Sequence, residues 1–72
     1  MIGKSSALRR KFGAKLRQER HRLGISQEEL GFRTGLDRTY ISGIERGERN
    51  PTLQNIGRIA KALKVSLSAF FK

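Results

Sequence analysis

The stretch that decides the fold covers residues 26–47 and reads SQEELGFRTGLDRTYISGIERG. Ser26 and Glu29 stand three residues apart, which is the spacing of the capping box that begins a helix. Gly35 suits the left-handed position that ends a helix, and Asp37 supplies a side-chain oxygen for the free amides of the next one. The stretch therefore predicts two short helices joined by a glycine corner.

Five positions of this stretch also match a known family: Gln27, Gly31, Gly35, Ile41 and Ile44. They fall where the Cro and phage-repressor superfamily places the fixed points of its helix-turn-helix, so the chain resembles a DNA-binding regulator. The positions have physical reasons as well, because Gly31 lets the second helix cross closely and Ile41 with Ile44 packs that helix on the core. The motif is expected at residues 27–46, and an ordinary helical hairpin is the alternative.

The sequence on either side predicts three more helices. A first helix from about residue 6 to residue 23 has one apolar stripe, formed by Leu8, Phe12, Leu16 and Leu23. The helix that follows Pro51 and Thr52 has a core-facing stripe of Leu53, Ile56, Ile59, Ala60 and Leu63. With a short last helix, the prediction is an all-α, compact five-helix bundle of the lambda-repressor-like class, in which residues 1–72 form one DNA-binding domain.

Charge makes nucleic acid the favoured partner. The chain has 72 residues, with 16 Lys and Arg against 6 acids and a net charge of +10. Residues 1–23 carry eight basic residues and one acid, residues 24–50 carry four and five, and residues 51–72 carry four and none. Basic flanks around a nearly neutral motif suit phosphate contacts that frame a base-reading element. A solvated basic surface is the alternative, and an anionic membrane surface ranks second as a partner.

The sequence lacks the residues that enzymes, metal sites and membrane-spanning proteins require. The chain has no Cys and a single His, His21, so we predict no catalytic site, no metal and no cofactor. No apolar run reaches the length of a membrane span, and the first residues lack the apolar stretch of a secretion signal. A soluble, cytoplasmic protein that is not an enzyme is therefore expected.

Arg20 interrupts the apolar stripe of the first helix, and an inward-facing guanidinium needs a carboxylate. Glu45 lies one turn after Ile41 on the inward side of the second motif helix. We therefore predict an ion pair between Arg20 and Glu45. The superfamily resemblance implies the same pair.

Base contacts are expected at the start of the second motif helix, because helix-turn-helix proteins insert that end into the major groove. Arg38 can present two donors to guanine, Thr39 offers a hydroxyl and a methyl group, and Ser42 lies one turn further along. These three are the predicted base-reading residues, with a phosphate or solvent contact as the alternative for Arg38. Gly43 is expected to leave an exposed surface without bulk, which a close approach of the DNA would explain.

Five residues are predicted to contact the DNA backbone: Gln27, Tyr40, Arg46, Arg49 and Asn50. The role of Gln27 is implied by the resemblance, and it agrees with the free amides at a helix start, which favour phosphate. The last three stand at and beyond the end of the second motif helix. Partial core packing is an equal alternative for Tyr40. The basic run at residues 9–11 is expected either to reach flanking DNA or to be solvated.

Phe70 and Phe71 cannot both face the core of a small domain, so one of them is expected to be covered by a second copy of the chain. Together with Leu67 they form the predicted dimer contact, in a last helix at residues 66–71. A homodimer would carry two recognition helices into successive major grooves about 34 Å apart.

The stretch from residue 36 to residue 47, followed by Arg49 and Asn50, is similar to the controller proteins of restriction-modification systems. That resemblance implies a dimer that binds upstream of its own gene and the endonuclease gene, activates at one site and represses when a second site fills. RNA polymerase is then a candidate partner. A phage-type repressor and an antitoxin regulator are alternatives. A membrane or partner-binding module built on the basic first helix is the alternative from another class.

Overall fold

The computed structural model of the chain describes residues 6–71, and the side chains of residues 7–70. Four α-helices follow one another, and a 3-10 helix comes after them: α1 Ser6–Arg22, α2 Gln27–Thr34, α3 Arg38–Glu45, α4 Leu53–Leu63 and the 3-10 helix Leu67–Phe71. The described part of the chain is compact and all-helical, without strands.

The prediction of a fifth α-helix is wrong, because the last helical segment is a 3-10 helix. Lys64 ends α4 in the left-handed conformation, with φ 59°. The five residues of the 3-10 helix follow after a short connection, and Ala69 N–H donates to the Ser66 carbonyl at 3.1 Å, which is an i to i+3 bond. In so short a segment, few hydrogen bonds can offset the unfavourable free energy of forming the first α-helical turn. Short segments therefore often adopt 3-10 geometry.

The ends of the motif helices follow their local sequence. Ser26 Oγ accepts from Glu29 N–H at 3.0 Å, Gly35 has φ 75°, and the Asp37 carboxylate accepts from Thr39 N–H at 2.8 Å. The Glu29 carboxylate accepts a hydrogen bond from Arg33 at 2.8 Å, so its side chain is engaged with the next turn of α2. These caps set where α3 begins, and therefore which side chains lead it.

The core draws on every helix. Among the described side chains, the largest fully buried ones are Leu16, Leu30, Ile41, Ile44, Ile59 and Leu63. Phe12, Ala60 and Phe70 complete the core cluster. The prediction that Leu8 and Leu53 face the core is wrong, because their side chains are 56% and 73% exposed. Each stands in the first turn of its helix, where the neighbouring elements no longer cover the apolar face.

Phe70 is buried within the protomer. It is 4% exposed, and its ring centroid lies 4.9 Å from that of Phe12 on α1. Its assignment to a dimer contact is therefore corrected: the side chain closes the chain's own core. The side chain of Phe71, the other predicted contact, lies outside the described side chains. Leu67 is 43% exposed.

Glycines bring α1 and α3 together. A β-carbon at Gly13 would lie 2.7 Å from the Glu45 carbonyl oxygen and closer still to that of Ile44. A β-carbon at Gly47, which has φ 77°, would lie 3.0 Å from the Arg10 α-carbon. The end of α3 is thus held against the backbone of α1, and the start of α3 lies against α2, where a β-carbon at Gly31 would lie 3.6 Å from the Arg38 nitrogen.

Candidate nucleic-acid interface

The two sides of α3 differ sharply in burial. Ile41 and Ile44 are fully buried, whereas Arg38 and Thr39 are exposed and Ser42 is half-buried. Asp37 caps the helix directly before Arg38. The structure therefore brings the three predicted base-reading residues together on α3, on the side that the core does not use.

Arg38 and Thr39 differ in the hydrogen-bonding groups that they leave available to a ligand. Within residues 6–71 Arg38 has neither a hydrogen bond nor a salt bridge, so all its donors are open to a ligand. The Thr39 hydroxyl donates to the Asp37 carboxylate. That hydroxyl can still accept a hydrogen bond, and the guanidinium of Arg38 remains the stronger donor on this end of the helix.

Arg46 is partly neutralised at the end of the motif. It donates to the Ser42 hydroxyl, and its Nη2 lies 3.1 Å from Glu48 Oε1. The hydrogen bond from Arg46, reinforced by the charges of Arg46 and Arg49, holds the pKa of the Glu48 carboxyl below its usual range. Glu48 is therefore a carboxylate at neutral pH, and no local pattern in the sequence points to its contact with Arg46.

Tyr40 and Arg49 form a second cluster. The Tyr40 hydroxyl accepts from Asn55 Nδ2 at 3.1 Å, and the ring is half-buried against the core. The Arg49 guanidinium carbon lies 6.0 Å from the centroid of this ring. Asn50 is exposed beside it in sequence. Asn55, on α4, was missed because its link to Tyr40 depends on how the two helices pack.

The expectation for Gly43 is corrected. Gly43 is buried, and a β-carbon there would lie 2.5 Å from Cγ of Arg49. The surface above it is covered by the Arg49 side chain, so this glycine does not leave a bare surface for DNA.

Arg20 and Glu45 lie together in the core. Arg20 Nε donates to Glu45 Oε2 at 2.7 Å and Arg20 Nη2 donates to Oε1 at 3.0 Å, and the two side chains are only 9% and 5% exposed. Arg20 Nη1 also donates to the Ile25 carbonyl at 2.9 Å. This bidentate pair ties α1, the loop before α2 and the end of α3 into one unit.

Gln27 joins the same network. Its Nε2 donates to Glu45 Oε1 at 3.1 Å. Because a carboxylate only accepts, the amide nitrogen must face Glu45, and the second N–H of that nitrogen stays available. Gln27 is also the first residue of α2, where backbone amides are free.

Near the start of α1, Arg9 Nε donates to the Gly47 carbonyl at 3.2 Å, and Arg10 and Lys11 are exposed. The apolar side chains Phe12 and Leu16 of α1 are buried in the core. No helix of the described residues is long and apolar enough to cross a membrane. The same part of the chain contains no group of three or more His, Cys, Asp or Glu placed to hold a metal ion.

Comparison with known proteins gives consistent matches. A helix-turn-helix family model matches residues 16–70. The control protein C.BamHI of Bacillus amyloliquefaciens is 56% identical over 55 residues, which are 75% of this chain and 68% of that protein. The crystal structure of the restriction-modification controller protein C.AhdI from Aeromonas hydrophila is 48% identical with a TM-score of 0.88, and the match covers 90% of this chain and 98% of that one.

A further solved relative, the controller protein C.Esp1396I, carries DNA in its structures. One contains a 19-base-pair duplex and matches with a TM-score of 0.82, 44% identity and coverage of 89% of this chain and 85% of that one. Another is a tetramer on its natural 35-base-pair operator, with a TM-score of 0.81, 44% identity and coverage of 89% and 84%.

Proposed function

The chain belongs to the helix-turn-helix family of transcriptional regulators, and on that premise we propose that it is the controller protein of a restriction-modification system. In this role it binds operator DNA as a homodimer in the cytoplasm and regulates its own gene and the endonuclease gene. The family is one of DNA-binding regulators and not of enzymes. The observation that carries the proposal is the exposed start of α3, held on a core that buries the opposite side of the same helix.

Sequence reading is assigned to the leading side chains of α3. Arg38 donates to O6 and N7 of a guanine, and its freedom from intramolecular partners among the described residues supports this role. Thr39 meets a thymine methyl group with its own methyl, since its hydroxyl proton is engaged with Asp37. Ser42 lies one turn further into the groove and shares its hydroxyl with Arg46.

Backbone contacts are assigned to residues around the motif. Gln27 donates its second amide N–H to a phosphate, and Glu45 holds that amide in place. Tyr40 donates its hydroxyl proton to a phosphate. That proton is free, because the Tyr40 oxygen acts as the acceptor in its hydrogen bond with Asn55. Three further residues contact phosphates of the DNA strand that passes the end of α3: Arg46, Arg49 and Asn50. These contacts supply affinity and orientation without sequence information.

The second copy is proposed to contact the 3-10 helix. Leu67 offers an exposed apolar side chain there. Phe71, the other residue predicted for this contact, stays a candidate. Phe70 supports this segment from beneath by packing on Phe12, so its effect on the dimer is indirect. The relative C.Esp1396I, solved as a tetramer on its operator, supports assembly on DNA. Activation of transcription would add RNA polymerase as a partner at the promoter.

Selection of bound duplexes from a randomised library, followed by footprinting on the selected sequence, tests the function. We expect a short protected sequence with twofold symmetry, whose half-sites place the recognition helices in major grooves about 34 Å apart. Neighbouring genes for a methyltransferase and an endonuclease would identify the system. Equal competition by every duplex would contradict the proposal.

A further inference from the structure

Arg49 lies flat against the recognition helix. Its backbone N–H donates to the Gly43 carbonyl at 3.2 Å, beside the N–H of Glu48 at 2.9 Å. From this anchor its side chain crosses the α-carbon of Gly43, where a β-carbon would lie 2.5 Å from Cγ, 3.4 Å from Nε and 3.5 Å from Cδ. The absence of a side chain at Gly43 is therefore what gives the Arg49 arm its path along α3.

The arm ends over an aromatic ring that is itself held in place. The Arg49 guanidinium carbon lies 6.0 Å from the Tyr40 centroid, which is within the range of a cation–π contact. The Tyr40 hydroxyl accepts from Asn55 on α4, so the ring is tied to a second helix. The Arg49 side chain makes no hydrogen bond to any residue in the described range, which leaves its donors open.

We propose that Gly43 is a positioning residue, which seats Arg49 along α3 so that its guanidinium is already in place to bind a DNA phosphate beside the recognition helix. The proposal rests on the proposed function, in which Arg49 contacts the DNA backbone. An arginine gives up rotamer freedom when it binds, and an arm that is pre-arranged gives up less. This accounts for a glycine inside a helix, where glycine is otherwise unfavourable.

The test compares Gly43→Ala, Arg49→Ala and the double variant with a matched control, Gly57→Ala. Gly57 lies within α4, and a β-carbon there meets nothing within 4 Å. Without DNA, the readout is Tyr40, because the chain has one Tyr and no Trp. Near-ultraviolet circular dichroism and tyrosine fluorescence should change in the same way in Gly43→Ala and Arg49→Ala, and should not change in Gly57→Ala.

With DNA, the probe is the duplex selected by the unmodified chain, measured by fluorescence anisotropy over a salt series. Gly43→Ala and Arg49→Ala should each bind about tenfold more weakly near 0.1 M salt, with a salt slope shallower by about 0.9, as expected for one lost phosphate contact. Gly57→Ala should bind like the unmodified chain. In the Arg49→Ala background, Gly43→Ala should cause no further loss of affinity. The melting midpoint of Gly43→Ala should stay at or above that of the unmodified chain, because alanine is the better helix former.

Two results would overturn the inference. One is unchanged affinity and an unchanged Tyr40 spectrum in Gly43→Ala. The other is a loss of affinity in Gly43→Ala that persists when Arg49 is Ala, because the added methyl group would then act on the DNA directly. Failure of the unmodified chain to select any sequence would refute the proposed function instead, and the Tyr40 spectra would still decide whether Gly43 seats Arg49.

Discussion

At the scale of single residues, the side chains proposed to meet DNA differ in how strongly the protein already engages them. Arg38 is free of intramolecular partners among the described residues, whereas Arg46 is shared between Ser42 and Glu48. A free guanidinium can adopt the planar, two-donor geometry that guanine requires. A shared one contributes mainly charge, so the two arginines should contribute to binding in different ways.

Arg38→Ala should weaken binding to the selected duplex by about 1 to 3 kcal/mol and relax the preference at one base position. Arg46→Ala should weaken binding to all duplexes to a similar extent and lower the salt slope by about one. Binding of each variant to the selected duplex and to its single-base variants over a salt series measures both effects. Equal losses on the selected and on random duplexes for Arg38→Ala would mean that another residue reads the bases.

Glu45→Ala should destabilise the chain by about 3 kcal/mol or more, because the nearly buried Arg20 guanidinium would lose its carboxylate. The matched control is Glu29→Ala, which removes an exposed pair with Arg33 and should cost less than about 1 kcal/mol. Urea unfolding followed by far-ultraviolet circular dichroism gives both values. A loss below about half a kcal/mol for Glu45→Ala would mean that the pair contributes little to stability.

At the scale of elements, the position of α3 depends on its contact with α1. The Gly13 and Gly47 approaches hold the end of α3, and the ion pair between Arg20 and Glu45 joins the same two helices. The start of α3 begins at its Asp37 cap and packs against α2, where a β-carbon at Gly31 would lie 3.6 Å from the Arg38 nitrogen and 3.7 Å from Ile41 Cδ1. The recognition helix is thus held by α1 at its end and by α2 at its start, while Arg38 and Thr39 on its outward side are exposed.

Gly13→Ala should destabilise the chain by about 1 to 3 kcal/mol, because the new methyl group would collide with backbone carbonyls of α3 that cannot move independently. Alanine is the better helix former by about 1 kcal/mol, so helix propensity alone predicts the opposite sign. Gly57→Ala, in open space on α4, should show that gain. Chemical denaturation of the two variants measures the difference, and equal stability would argue against the close approach.

At the scale of the whole molecule, one small core has to support both DNA binding and assembly. Phe70 links the 3-10 helix to α1 through Phe12, while Leu67 on the same segment stays exposed. The core contact and the proposed dimer contact therefore belong to different side chains, although these stand only three residues apart. Burial within the protomer decides which of them belongs to the core.

Leu67→Asp should shift the chain towards monomer in sedimentation velocity while the helical circular dichroism signal is retained, because it places a charge on the proposed contact. Phe70→Ala should instead lower stability by about 3 to 5 kcal/mol, as expected for a buried aromatic side chain. Sedimentation and thermal melting of both variants distinguish the two roles. Dimers that persist in a folded Leu67→Asp variant would place the contact elsewhere.

The sequence by itself determined the features that act over a few residues. Ser26, Gly35, Asp37 and Thr52 mark helix ends because a cap or a left-handed turn is a local interaction, and the structure has helix boundaries at those positions. The family followed from a resemblance at five positions of the motif: Gln27, Gly31, Gly35, Ile41 and Ile44. The apolar period also identified most of the core, because a helix must bury one face.

Tertiary structure alone decided the features that depend on how helices cross. The burial of Phe70, the exposure of Leu53 and the contact of Gly13 with α3 each involve partners far apart in the chain. A periodic pattern shows which face is apolar, but it does not show how far a neighbouring helix extends to cover it. For the same reason the path of Arg49 over Gly43 became visible only once the loop after α3 had folded back on that helix.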